Sequence, residues 1–110
     1  MVTVKPNIER IRTLADHVVA FAAFNIQEPD LCIGGVARKL LSEDKNKGWR
    51  PSSNAIAEYV NCDIDTAHAV AYWDWEEVIP GYPKHYWKNI TRKIAAKFLR
   101  DWANYLETKE

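Results

Sequence analysis

The sequence predicts an all-α protein, a single compact bundle of about five helices with a central helix-turn-helix-like hairpin. Three observations carry that expectation. Apolar residues recur at spacings of three and four over several stretches, and no run of any length alternates with the period of two that a half-buried strand shows. Residues of the helix-capping type (Asn7, Asp30, Asp63 and Thr91) stand just ahead of the periodic stretches. The chain has 110 residues, 47% hydrophobic and 27% charged, enough to build one core without disulfide or metal staples, so residues 1–110 are read as a single domain.

Taken in order, residues 1–6 read as a flexible arm, and Asn7 caps a first long helix. Ile8, Ile11, Leu14, Ala15, Val18, Val19 and Ala22 form its apolar stripe, with Phe21 and Phe24 extending it and Asn25 to Pro29 ending it. His17 borders the stripe as a partly buried, hydrogen-bonded residue. Asp30 is the cap candidate for a second helix, 31–41, whose buried face holds Cys32, Ile33, Val36, Ala37, Leu40 and Leu41. Gly34-Gly35 inside that helix costs about 1 kcal/mol per glycine against alanine. The pair therefore predicts close passage of the first or last helix at this point.

Residues 42–52 are polar and end in Gly, Trp and Pro, an internal loop from which Trp49 folds back onto the core. The hairpin follows. Ser53 or Asn54 caps its first helix, with Ile56, Ala57 and Val60 on one face. Asn61 takes the left-handed conformation that ends a helix, and Asp63 caps a second helix with the stripe Ile64, Ala67, Val70 and Ala71. Pro80, Gly81 and Pro83 then forbid a continuous helix, so Tyr72, Trp73, Trp75, Tyr82, Tyr86 and Trp87, six of the thirteen aromatics, stand on a structured loop. Thr91 caps a last helix. Its buried face is Ile94, Ala95, Phe98, Leu99, Trp102, Ala103 and Leu106, and its outer face is basic with Arg92, Lys93, Lys97 and Arg100.

The net charge is zero but unevenly spread. From Pro51 to Ile79 there are six acids (Glu58, Asp63, Asp65, Asp74, Glu76 and Glu77) and no Lys or Arg. The hairpin's register fits helix-turn-helix, yet phosphate neutralisation needs Lys and Arg, and this second helix has neither. It reads as a core-building hairpin rather than a major-groove reader. The acids beside the aromatics suit a basic protein partner, with Asp74, Trp75, Glu76, Glu77, Tyr82, Tyr86 and Trp87 as the candidate partner-binding residues within the segment 58–87. The alternative is a nucleic-acid face made of Arg92, Lys93, Lys97 and Arg100. The aromatics also have a plainer reading, as the roof of a core short of Leu and Met.

Enzymatic chemistry finds little material. His17, His68, His85, Cys32 and Cys62 are scattered singly, against the close ligand spacing that a metal needs. Gly34-Gly35 lacks the preceding strand and the glycine spacing of a phosphate-cradling loop, so no cofactor is expected. Cys62 with His68 is the single local pair of nucleophile and base type, and buried thiols are the simpler reading of both cysteines. The longest apolar segment, 18–24, is far too short to cross a membrane, and a cytoplasmic, non-enzymatic interaction protein is the expectation.

The order of these elements resembles a family of small bacterial and phage proteins with no established activity. The residues that carry the resemblance are Ile8 to His17, Cys32-Ile33-Gly34-Gly35-Val36-Ala37, Ala57 to Tyr72, and Ile90-Thr91 to Leu106. Gly34 stands where the family commonly has Ala, and Val36 where it commonly has His or Trp. The resemblance implies the helical fold, a phage or mobile-element origin and tolerance of Ala at position 34. It implies no site residues.

Overall fold

Three of the five helices start where a short polar side chain accepts from an unpaired N–H group of the first turn. In the computed structural model, which describes residues 5–28, 30–41 and 51–109, Asn7 accepts from the Arg10 N–H at 3.0 Å and opens α1, Ile8–Ala20. Asp63 accepts from the Thr66 N–H at 3.0 Å and opens α4, Ile64–Ala71, and Thr91 accepts from the Ile94 N–H at 3.2 Å to open α5, Arg92–Thr108. Between them lie α2, Ile33–Leu41, and α3, Ser52–Val60. Two single-turn 3₁₀ segments, Trp75–Glu77 and Trp87–Asn89, punctuate the chain between α4 and α5. Among the described residues there are five α-helices and no strand. The protein is an all-α single bundle.

Two layers of contact build it. α1 packs chiefly on α5, and α2 on α3, which in turn packs on α4. The first pair is antiparallel, because Arg12 reaches Asn104 and Glu107 while Asp16, one turn further along α1, meets Arg100, one turn earlier on α5. Ile11, Leu14, Ala15 and Val18 from α1 share one core with Ala95, Phe98, Leu99, Trp102 and Ala103 from α5 and with Ile33, Val36, Ile56, Val60, Ala67 and Val70. The Cα radius of gyration, 12.9 Å, is that of one tightly packed domain.

The helix ends depart from the sequence reading in instructive ways. α1 stops at Ala20, earlier than expected, because Phe21 turns to extended backbone (φ −85°, ψ 96°), which leaves Ala22 exposed. His17 is exposed rather than partly buried, its Nδ1 2.9 Å from the Thr13 carbonyl. Asp30 does not cap α2. The chain makes a turn there, with the Leu31 N–H on the Glu28 carbonyl, and Asp30 pairs instead with Arg38 at 2.9 Å. Pro51, rather than Ser53 or Asn54, stands at the N-cap of α3 and offers no side-chain bond.

Asn61 does adopt the left-handed conformation (φ 59°), and the Cys62 N–H reaches back to the Ala57 carbonyl at 3.1 Å, closing α3. Its side chain also donates to the Lys5 carbonyl at 3.2 Å, and the Asn7 N–H bonds the Val60 carbonyl at 2.7 Å. Lys5 and Pro6 are thus held against the α3–α4 turn rather than forming part of a loose arm. Residues 1–4 of that arm, residues 42–50 of the internal loop and Trp49 lie outside the described residues.

Close passage at Gly34-Gly35 is present, but what passes is α3 at Gly34 and the turn at Asp30 at Gly35, not the first or last helix. A Cβ built on Gly34 falls 2.5 Å from the Ser52 Cα and closer still to its Cβ, and one on Gly35 falls against the Asp30 carbonyl. Neither position has room for a methyl group. The tolerance of alanine at position 34 implied by the resemblance does not suit this backbone.

Candidate functional site

The acidic and aromatic segment divides into a buried half and an exposed half. Trp75 is core, 1% exposed, its indole N–H on the Val70 carbonyl at 3.2 Å and its ring stacked on Phe98 at 4.3 Å, nearly parallel. It ties the hairpin to α5 and cannot meet a partner, which corrects its place among the binding candidates. Tyr82 is partly buried edge-on to both Trp75 and Phe98, and its hydroxyl donates to Asp101 at 2.7 Å. Burial, then the bond to Asp101 and that group's negative charge, push the Tyr82 phenol up from its ordinary pKa. Trp87 is partly buried against the core. For these three rings the roof-of-the-core reading holds, and of the loop aromatics among the candidates Tyr86 is the exposed one, at 58%.

What faces solvent is the outer side of α4. Ile64 is 49% exposed and Tyr72, just past the helix end, is 48% exposed. His68 lies between them at four-residue spacing, its ring 4.4 Å from that of Tyr72. Positions i, i+4 and i+8 fall on one side of a helix, so the three make a continuous apolar and aromatic stripe about 12 Å long. Along its edge an open cleft of about 250 Å³ is lined by Asp65, Thr66, His68, Ala69, Asp74 and Glu77. Asp65, Asp74 and Glu77 are exposed there, whereas Glu76 is partly buried with its carboxylate 3.5 Å from Lys84.

Local chemistry explains how α4 holds this face outward. Ala67, Ala69, Val70 and Ala71 are buried, small enough to seat the helix closely on α3 and α2. The helix ends in a left-handed residue, Trp73 at φ 57°, with the Asp74 N–H reaching the Ala69 carbonyl at 3.0 Å. That geometry is ordinarily taken by Gly or Asn. It turns the chain sharply, sends Trp75 inward and leaves Asp74 and Glu77 beside α4. Sequence reading placed Ile64 in the buried stripe with Ala67, Val70 and Ala71. At 100° per residue Ile64 lies at the edge of both stripes, and alignment with His68 and Tyr72 is the signal that would have found the exposed one.

The basic face of α5 is partly spent inside the molecule. Lys97 bonds Asp101 at 2.8 Å and Arg100 bonds Asp16 at 2.9 Å, while Arg92 is partly buried and Lys93 is exposed. Cys62 is buried, and burial, then the charge of Asp63, push its thiol up to about 12, partly opposed by a backbone hydrogen bond. It is protonated and weakly nucleophilic at neutral pH. Cys32, also buried, lies 3.6 Å from the Ser52 hydroxyl, and the two cysteines are separate thiols. Among the described residues no three His, Cys, Asp or Glu side chains are grouped to hold a metal, and no helix is long and apolar enough to cross a membrane.

No protein-family model, curated protein or solved structure matches the chain. Its function is read from the side chains and their arrangement.

Proposed function

We propose that the protein is a small non-enzymatic interaction module that binds a basic protein partner through the outer face of α4 and the turn that follows it. The observation that carries the reading is the exposed stripe Ile64, His68 and Tyr72 bordered by Asp65, Asp74 and Glu77. Two of the three large hydrophobic residues exposed on the described surface lie on this one stripe, and large apolar side chains gathered beside like charges are a common mark of an interaction surface. No Lys or Arg occurs from Pro51 to Ile79, so the electrostatic preference is for a cationic partner. A cytoplasmic setting accompanies the reading, supported by two separate thiols that suit a reducing compartment. A phage or mobile-element origin is part of the proposal through the resemblance alone.

The nucleic-acid alternative receives less support, since two of its four cations already serve carboxylates of the same chain. The test is retention of partners from extract of the encoding cells by immobilised full-length protein. A protein retained by the native chain and lost with Ile64→Ser plus Tyr72→Ser, at unchanged melting temperature, is the expected result. Retention of every partner at full strength by Asp65→Lys, Asp74→Lys and Glu77→Lys together would sink the proposal.

A further inference from the structure

The stripe and the cleft beside it have a form that restricts the partner further. α4 satisfies its own backbone groups internally, so its outer face offers side chains only, and no strand edge exists among the described residues to extend. An extended segment laid on this face would find no main-chain ladder for its N–H and C=O groups, which would be left to side chains and water. A helix brings none unpaired between its end turns, because its backbone bonds are internal. The dimensions agree. The stripe from Ile64 to Tyr72 runs about 12 Å, and apolar side chains two turns apart on a partner helix are roughly 11 Å apart.

The charges set the partner's polar edge. Asp65 directly follows Ile64, and Asp74 and Glu77 lie past Tyr72, so carboxylates border the stripe on the cleft side at both ends. Resting on the protein-binding reading above, we infer that the partner element is a cationic amphipathic helix that lies along α4, its apolar side chains on Ile64, His68 and Tyr72 and its Lys or Arg side chains in the cleft formed by Asp65, Asp74 and Glu77. Long basic side chains suit that arrangement, since their methylene stems cover apolar surface while their charged ends reach the carboxylates.

A titration of the ¹⁵N-labelled full chain tests it. The probe is a leucine–lysine peptide about four turns long with leucines at helical spacing, accompanied by a scrambled peptide of the same composition and by a leucine–glutamate counterpart. The expected result is movement of the amides of Ile64, Asp65, His68, Tyr72, Asp74 and Glu77 with the first peptide, and gain of helix by that peptide. Affinity should fall by roughly tenfold or more with Asp65→Asn, Asp74→Asn and Glu77→Gln together, and also with Ile64→Ser plus Tyr72→Ser. Equal binding of the scrambled peptide overturns the helical partner, and equal binding of the glutamate peptide overturns the cationic one. Movement centred on α5, or none at all, overturns the inference that a cationic helix docks along α4. If partner retention still depends on Ile64 and Tyr72 while the peptide moves none of these amides, the partner class is wrong and the binding surface stands. If both dependences are missing, both readings fall.

Discussion

At the scale of single residues, the division between core and surface is set by what each polar atom can reach. Trp75 buries its whole ring because one carbonyl, that of Val70, is placed to take the indole N–H. Tyr82 buries most of its ring because Asp101 takes its hydroxyl. Among the described residues Tyr72 finds no such anchor, and it stays at the surface beside His68. Cys62 shows the same logic in its titration. Its folded pKa lies near 12, above the ordinary thiol value of 9.0, so the native state keeps a proton that the unfolded chain releases. The stabilisation is complete below about pH 9 and is lost as pH rises towards 12. Melting experiments on the alkaline side should show a loss of up to about 1.4 kcal/mol per pH unit from this group. Cys62→Ala, less stable at neutral pH, should lack that part of the slope, and an unchanged slope would place the thiol in water.

At the scale of elements, Gly34 is what lets α2 and α3 approach, and Gly35 makes room for the turn at Asp30. The cost of two glycines inside a helix is offset by the contact they allow, the start of α3 lying where a side chain on Gly34 would sit. Both Gly34→Ala and Gly35→Ala should therefore destabilise, by about 1–3 kcal/mol each, as overpacking against backbone does. Chemical denaturation of the two variants measures it, and a stabilised Gly34→Ala would mean that α3 stands further off. The caps Asn7, Asp63 and Thr91 and the left-handed Asn61 were legible in the sequence because each depends on a short polar side chain acting on its own neighbours. Trp73 was not legible, since nothing local favours a bulky residue at φ 57° and its conformation follows from where Trp75 is buried. The neighbour of Gly34 was legible as a close element but not as α3, because which helix crosses is a tertiary matter.

At the scale of the whole molecule, the uneven charge is resolved in two different ways. The basic side chains of α5 and α1 find carboxylates across the α1–α5 seam, Arg12 with Glu107 and Arg100 with Asp16, exposed pairs worth about 0–1 kcal/mol each. The acids along α4 lie in a stretch that contains no cation of its own, beside apolar side chains that the fold leaves uncovered. Composition made the acidic middle legible, but not which of its aromatics would be inside, because that depends on Val70 and Phe98 reaching Trp75. The central claim is that the outer face of α4, not α5, meets the partner. Placing a photoreactive phenylalanine analogue at position 68 or at position 93 and irradiating in extract of the encoding cells tests it most directly. The account predicts a discrete protein cross-link from position 68 and none from position 93; cross-links to protein or nucleic acid from 93 with none from 68 would contradict it.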